Sequence, residues 1–404
     1  MGYPMILAVG YGLLGAGQLP VELLNVLFAL LTGVLLLALA THQYGARVGA
    51  LSLFLYALWP AGALMIVTSL PHTVYELAIV AAAWSVLATG RGWRGSALAG
   101  TILGLSQYLR PTAPIMIPFF LLARAWPGET WRRFLGGTFL PLVGLFLVVL
   151  LPVIADNASR HGELSVSTSS YAGHGLWIGT DQATGGRFSQ EAADQVLALP
   201  GADLWQKSER AGELAIERIK ADPMGTILLG IRKQDTLWGT ERYGVEYAIR
   251  RVSADDPAKP SATLPLMTSN AFWLLVTSCA AAGLFLRRRR TDAFMVLVVG
   301  VIVAISATHF LLEVRDRYHA YVVPLLLPLA AVAIGAFLQR LGLVQAESGP
   351  SAAASEAGPS TGPSQEVGTG HVRTTGSEPD GPSLRPLLVH TWTIRVRSFP
   401  RPAI

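Results

Sequence analysis

Apolar runs of membrane-spanning length recur along this chain, and they limit its fold more than any other feature. The stretch "LPVELLNVLFALLTGVLLLALA", residues 19–40, carries one charged side chain, Glu22. Crossing a bilayer takes about 20 apolar residues in helical form. A helix satisfies its own backbone in lipid, so such spans are helical. Composition agrees: the chain is 51% hydrophobic and 14% charged, against about 25% charged in an ordinary soluble domain. The pattern predicts an all-α polytopic membrane protein with about nine transmembrane helices. Their expected limits are 20–42, 46–68, 72–89, 94–109, 111–126, 133–155, 266–286, 292–313 and 318–340. The fifth is short and proline-rich, which predicts a bent or re-entrant helix. Pro111, Pro114 and Pro118 each lack a backbone donor, and only Pro111 suits a helix start.

Charge sets the expected orientation, because Lys and Arg in short loops favour the cytoplasm. One side receives Arg47, Arg91, Arg94, Arg124, Arg132, Arg133, Arg287 to Arg290 and Arg340. The other receives Arg110, Arg315 and Arg317 from its short loops. The first side is therefore read as cytoplasmic, and the membrane as the plasma (inner) membrane. The net charge of +5 lies largely in these clusters and does not signal nucleic acid. Cys279 is the single cysteine, which excludes an internal disulfide and a cysteine-based metal cluster. The start, "MGYPMILAVGYGLLGAG", lacks the basic n-region of a cleavable signal peptide. The segment Pro4 to Gln18 reads as an interfacial helix on the outer leaflet.

Four regions follow. Residues 1–155 hold the interfacial helix and about six spans. Residues 156–265 form a large outer-face soluble segment of mixed structure. Residues 266–340 add three spans, and 341–404 form a Gly-, Ser- and Pro-rich cytoplasmic tail that cannot bury a core. Within the outer segment, Leu204, Ala211, Leu214, Ala215 and Ile219 fall on one helical face, and Asp222-Pro223 ends that helix.

Ionisable residues at the outer ends of spans are the functional candidates, since charge at bilayer depth is expensive. The knot "EVRDRYH" places Glu313, Arg315, Asp316, Arg317 and His319 between two apolar runs. A guanidinium fork there suits a phosphate. The plain alternative is a pair with Glu313 or Asp316. Arg110 lies at another outer span end and offers a second phosphate contact or a simple interfacial anchor. His72 and Glu76 are four apart, on one face of a helix. They suit a shared metal or a proton relay, and equally a cap or an interhelical hydrogen bond. Two ligands make no metal site, so no metal or other cofactor is assigned. Lys233 belongs to the same outer-face set. In "SSYAGHGLWIGTDQATGGRF", Tyr171 and Trp177 offer aromatic faces to a sugar, beside His174 and Asp181. The alternative there is a well-turned surface loop.

These features in order resemble the GT-C superfamily of integral-membrane glycosyltransferases, in its protein O-mannosyltransferase and aminoarabinose-transferase-like branch. The resemblance is carried by "GYPMILAVGYGLLG", "QLPVELLNVLFALLTGVLLLALATHQYGARVGALSLFLYALWPAGALM", "YLRPTAPIMIPFF", "GELSVSTSSYAGHGLWIGTDQATGGRF" and "EVRDRYHAYVVPLLLPLA". It runs from residue 2 to about 340, and its specificity lies in the ordered set. It implies transfer of a sugar from a polyprenyl-phosphate donor to a lipid, glycan or protein acceptor on the outer face. Arg317, with Arg315 and Arg110, would hold the donor phosphate. Tyr318, His72, Tyr171 and Trp177 would line the sugar or acceptor pocket. The family's catalytic acid lies in a first outer loop that has no match here, which places it upstream of Met1. The family also often has an acid where this chain has Pro71-His72, and Glu76 stands one turn later as its candidate substitute. Two readings follow: an enzyme whose first span and loop are missing from this sequence, or an inactive relative. A non-catalytic protein that binds, flips or scaffolds lipid-linked sugars is the alternative. Deep ionisable residues, expected of an ion-coupled carrier, are few in these spans.

Overall fold

The computed structural model describes residues 2–343, apart from 91, 127 and 254–262. The expected tail from 344 onward lies outside the described residues. Met1–Ala346 is one compact unit.

Sixteen helices carry the chain among the described residues. They are α1 Gly2–Leu14, α2 Gln18–Tyr44, α3 Ala46–Ala57, α4 Pro60–Met65, α5 His72–Leu87, α6 Trp93–Gln107 and α7 Ala113–Ala125. There follow α8 Trp131–His161, α9 Tyr171–Gly179, α10 Gln190–Leu197, α11 Leu204–Ala221, α12 Pro223–Trp238 and α13 Arg242–Ser253. The last are α14 Thr263–Arg287, α15 Ala293–Leu311 and α16 Val323–Arg340, which a 3₁₀ turn, Asp316–Val322, precedes.

Among the described residues, five helical segments are long and apolar enough to cross a membrane: α2, α8, α14 with its continuation to Arg290, α15, and the 3₁₀ turn with α16. Their outward surfaces are apolar. On α2, Leu19, Leu23, Leu27, Leu30 and Val34 are exposed. An unbroken exposed stripe of this kind belongs against lipid, and the chain is an integral membrane protein. Each expected span has a helical counterpart, but several are short. The α5 helix has 16 residues, or about 24 Å, against a hydrocarbon core of about 30 Å. The expected span 46–68 is broken in two. Trp59 precedes Pro60 and takes an extended conformation, because the proline ring excludes the helical region for its predecessor. In the span expected to bend, 111–126, Pro118 sits inside α7, where it removes one backbone donor.

The segment expected to lie outside, 156–265, is helical rather than mixed in its described residues, which hold no strand; Arg187 makes one isolated bridge with Val314. Its helix starts are written in the sequence. Ser189 Oγ accepts from the Ala192 amide at 3.0 Å, and Asp203 Oδ1 accepts from the Gln206 amide at 2.9 Å. Asp222 Oδ1 accepts from Gly225 at 2.8 Å, with Pro223 opening α12. Such caps satisfy donors that the first helical turn leaves unpaired. The buried face of α11 is Ser208, Ala211 and Ala215, and the expected Leu204 is exposed. Small residues prevail because α9 packs closely along this helix.

The centre of the bundle is α16 with its preceding turn, where Tyr318 to Ala331 are buried throughout. α14 lies along α16, and a Cβ on Gly283 would stand 2.1 Å from the Leu329 carbonyl. Only glycine permits that approach. α3 covers another side of α16, while α12 and α5 reach the turn itself.

Candidate functional site

Two clusters meet at the turn before α16. The first is built on Glu313. After α15 ends, the chain at 312–315 leaves the helix and is gripped by α9 and the turn that follows it. The Glu313 amide donates to the Gly175 carbonyl at 2.9 Å, and the Val314 amide to Gly186 at 3.0 Å. Gly179 lies so close that a Cβ would be 2.1 Å from the Leu311 carbonyl. Lys233 Nζ donates to the carbonyls of Gly179 and Leu312 at 2.7 and 2.9 Å. Burial lowers the Lys233 pKa to about 7. The Glu313 carboxylate accepts from the Tyr171 hydroxyl, from Arg315 Nε at 3.0 Å and from the Tyr318 hydroxyl at 3.4 Å. Burial, and then the Glu313 carboxylate, push the Tyr171 hydroxyl pKa up. Arg315 therefore forms the pair with Glu313 that stood as its plain alternative, although Glu313 is buried rather than at the loop surface.

The second cluster joins Arg110, Arg317, His72, Tyr318 and Tyr321. Arg110 leaves the end of α6, and His72 opens α5. Arg110 Nη2 is 3.1 Å from His72 Nδ1. A guanidinium can only donate, so Nδ1 accepts, and a neutral His72 carries its proton on Nε2. That Nε2 is buried and has no partner among the described residues; the same holds for Arg110 Nε and the Tyr321 hydroxyl. The Arg110 guanidinium lies 5.0 Å from the Tyr318 ring centroid and 5.3 Å from that of Tyr321. Arg317 lies 5.4 Å from the Tyr318 ring. Both arginines act electrostatically on His72. The cluster thus holds three orphaned polar atoms that can donate, on His72, Arg110 and Tyr321, and it is short of acceptors.

A crevice on the other side of Arg317 is lined by Trp59, Met65, Glu241, Asp316 and His319. Glu241 precedes α13. Its carboxylate accepts from Trp59 Nε1 at 2.9 and 3.0 Å. His319 Nε2 is 3.6 Å from Glu241 Oε1, and His319 Nδ1 is 2.6 Å from the Leu237 carbonyl. Trp273 stacks on His319 at 4.3 Å. Glu76 is buried one turn inward of His72, its Oε1 has no partner among the described residues, and it acts electrostatically with Glu241.

The structure thus gathers Arg110, Arg317, His72 and Tyr318, and links Arg315 and Tyr171 to them through Glu313. Trp177 stands apart. Arg218 lies 3.9 Å from its ring centroid and donates to its carbonyl at 3.0 Å. One face of Trp177 is therefore covered by a cation rather than presented to a sugar. Sequence reasoning missed Glu241 and Trp59. Neither has a periodic or motif signal, since each is a single polar or aromatic residue beside a helix start. Among the described residues no group of three or more His, Cys, Asp or Glu side chains is arranged to hold a metal ion.

No protein-family model and no curated protein matches the chain. Two solved structures of ArnT from Cupriavidus metallidurans are similar to it, one in the apo state and one bound to undecaprenyl phosphate. They share 16% and 15% identity with this chain, cover 84% of it and 68% of their own length, and give a TM-score of 0.34 each. At that level of likeness neither a fold family nor an activity transfers from one chain to another.

Proposed function

We propose that this chain is a membrane glycosyltransferase that takes a sugar from a polyprenyl-phosphate donor and passes it to a lipid, glycan or protein acceptor. The observation that carries this reading is the donor-rich cluster around Arg110 and Arg317. Two guanidiniums and the orphaned donors of His72, Arg110 and Tyr321 call for a ligand made of acceptors. A phosphate has that character, and an isoprenoid tail suits a site at the end of lipid-facing helices. In this reading Arg317 and Arg110 hold the phosphate, and Arg315 adds charge from its place on Glu313. Tyr318 and His72 shape the pocket. Tyr171 stands at its rim, while Trp177, under Arg218, lies apart from the phosphate cluster. The sugar–phosphate bond breaks with its electron pair on phosphate oxygen, where the cations stabilise the developing charge.

The proposal includes a topology. About nine helices cross the plasma membrane, some completed by their flanking turns. The arginine-rich loops face the cytoplasm. Residues 1–155 and 266–340 then form the membrane part, and 156–265 lie outside over the site. A protein that only binds, flips or scaffolds lipid-linked sugars would use the same phosphate cluster, and turnover separates the two.

The test uses the full chain in lipid nanodiscs with undecaprenyl phosphate as probe. Arg317→Ala is expected to weaken binding about 100-fold, since losing one partner of a desolvated charged contact costs about 3 kcal/mol. A folded Arg317→Ala protein that binds the probe as tightly as the wild type would sink the phosphate role.

A further inference from the structure

We propose that Glu241, backed by His319, is the general base that takes the proton from the acceptor hydroxyl. The inference rests on the phosphate reading above and names the group that reading leaves open. It starts from hydrogen-bond accounting. His319 Nδ1 lies 2.6 Å from the Leu237 carbonyl. A carbonyl only accepts, so Nδ1 is the donor. The lone-pair nitrogen of a neutral His319 is then Nε2, and it faces Glu241 Oε1 at 3.6 Å. Two acceptors do not face each other in a dry site without cost. A proton arriving on Glu241 Oε1 relieves that clash by donating to Nε2, so the pair is a seat for an incoming proton, as in other base–orienter pairs.

The surroundings give the seat a task. Trp59 Nε1 donates to both Glu241 oxygens and fixes the carboxylate. Trp273 and Trp238 stack on His319 at 4.3 and 6.0 Å and fix the ring. The other charged groups nearby are Asp316 and Arg317 in the same crevice, Glu76, which acts on Glu241, and Arg242, which acts on Asp316. Arg317 belongs both to this crevice and to the phosphate cluster. The crevice is small, about 10 Å³, with room for a single water or hydroxyl, which would lie in the space that Glu241 and Arg317 share. In the step, the hydroxyl proton passes to Glu241 as the hydroxyl oxygen bonds to the sugar carbon. The sugar–phosphate bond breaks, and its electron pair leaves on the phosphate, beside Arg317 and Arg110. Glu241 is the catalytic residue here and His319 a positioning residue.

The experiment measures two quantities on the full chain in nanodiscs: affinity for undecaprenyl phosphate, and release of prenyl phosphate from a panel of synthetic farnesyl-phosphoryl hexoses and pentoses. Water serves as an acceptor hydroxyl, so no natural acceptor is required. Glu241→Gln is expected to keep the wild-type affinity and to lose about 10²- to 10⁴-fold in turnover. It should also lose the acid limb of the pH–rate profile, while Glu241→Asp regains part of both. His319→Gln should shift that limb with affinity unchanged, and it serves as a second variant where Glu241→Gln fails to fold. Wild-type turnover in Glu241→Gln, or an unmoved pH profile in both variants, overturns the base assignment and leaves the phosphate reading standing. Equal loss of affinity and turnover in Glu241→Gln makes the residue structural and also overturns it. No release from any probe by the wild type overturns the transferase reading and this inference together.

Discussion

Arg110 and Arg124 flank the same short helix, α7, and the chain treats them in opposite ways. Arg124 gives both terminal nitrogens to backbone carbonyls. Its Nη1 donates to the carbonyls of Val86 and Thr89 at 2.7 and 3.0 Å, and its Nη2 to those of Gly90 and Gly92 at 2.6 and 2.7 Å. It closes the end of α5 by filling the carbonyls that a helix terminus leaves open. Arg110 is half-buried and its terminal nitrogens meet one histidine nitrogen and two aromatic rings; among the described residues no carboxylate and no carbonyl pairs with that guanidinium. A partly desolvated guanidinium with so few acceptors is costly in a protein that only needs to stand up. Under the proposed function, the difference separates a cation that holds the fold from one that binds the donor phosphate. Residue type and place at a span end look alike in the sequence; the neighbours differ.

The sharpest way to break this comparison is to truncate both arginines. Arg110→Ala should weaken undecaprenyl phosphate binding by roughly 10- to 100-fold and leave thermal stability nearly unchanged. Arg124→Ala should do the reverse, lowering stability by about 3 kcal/mol as buried carbonyls lose their donor. Affinity of the folded fraction should hold. Equal effects of the two variants on both readouts would erase the distinction.

A smaller effect with a clear sign comes from Lys233. Its pKa lies near 7 in the folded chain, against the ordinary 10.5. The unfolded chain thus binds the additional proton between those values, and stability rises with pH across that window. Lys233→Met should remove this slope, while freeing two buried carbonyls costs about 2 kcal/mol. Melting curves of both proteins at the two ends of the window check the sign. Smallest is Tyr171→Phe, which removes one hydrogen bond to Glu313 and should cost about 1 kcal/mol. Its effect on phosphate affinity should be slight, because Tyr171 reaches the cluster only through Glu313.

Much of the site was legible because membranes punish misplaced charge. His72, Arg110 and Arg317 drew attention as polar residues at span ends, and the fold gathers these three. Tyr171 and Trp177 were singled out for one reason, an aromatic face in a glycine-rich stretch. The structure ties Tyr171 to Glu313 and puts Arg218 over Trp177. Nothing in the local sequence separates the two, since Arg218 comes from another helix. Glu313 stood in the sequence as one charge of the knot and as the plain partner for arginine, yet it organises Tyr171, Arg315 and Tyr318.

The sequence by itself determined that this is a helical membrane protein and where its helices start and break. Those features depend on local properties: apolar run length, capping side chains at Ser189, Asp203 and Asp222, and the backbone limits of Pro60 and Pro118. Only the tertiary structure decided which polar residues face one another. Trp59 meets Glu241 across 182 residues of chain, and His319 meets the Leu237 carbonyl across 82. Hydrogen bonds at such separations depend on how helices pack, and a run of residues carries no record of its distant neighbours until the chain has folded.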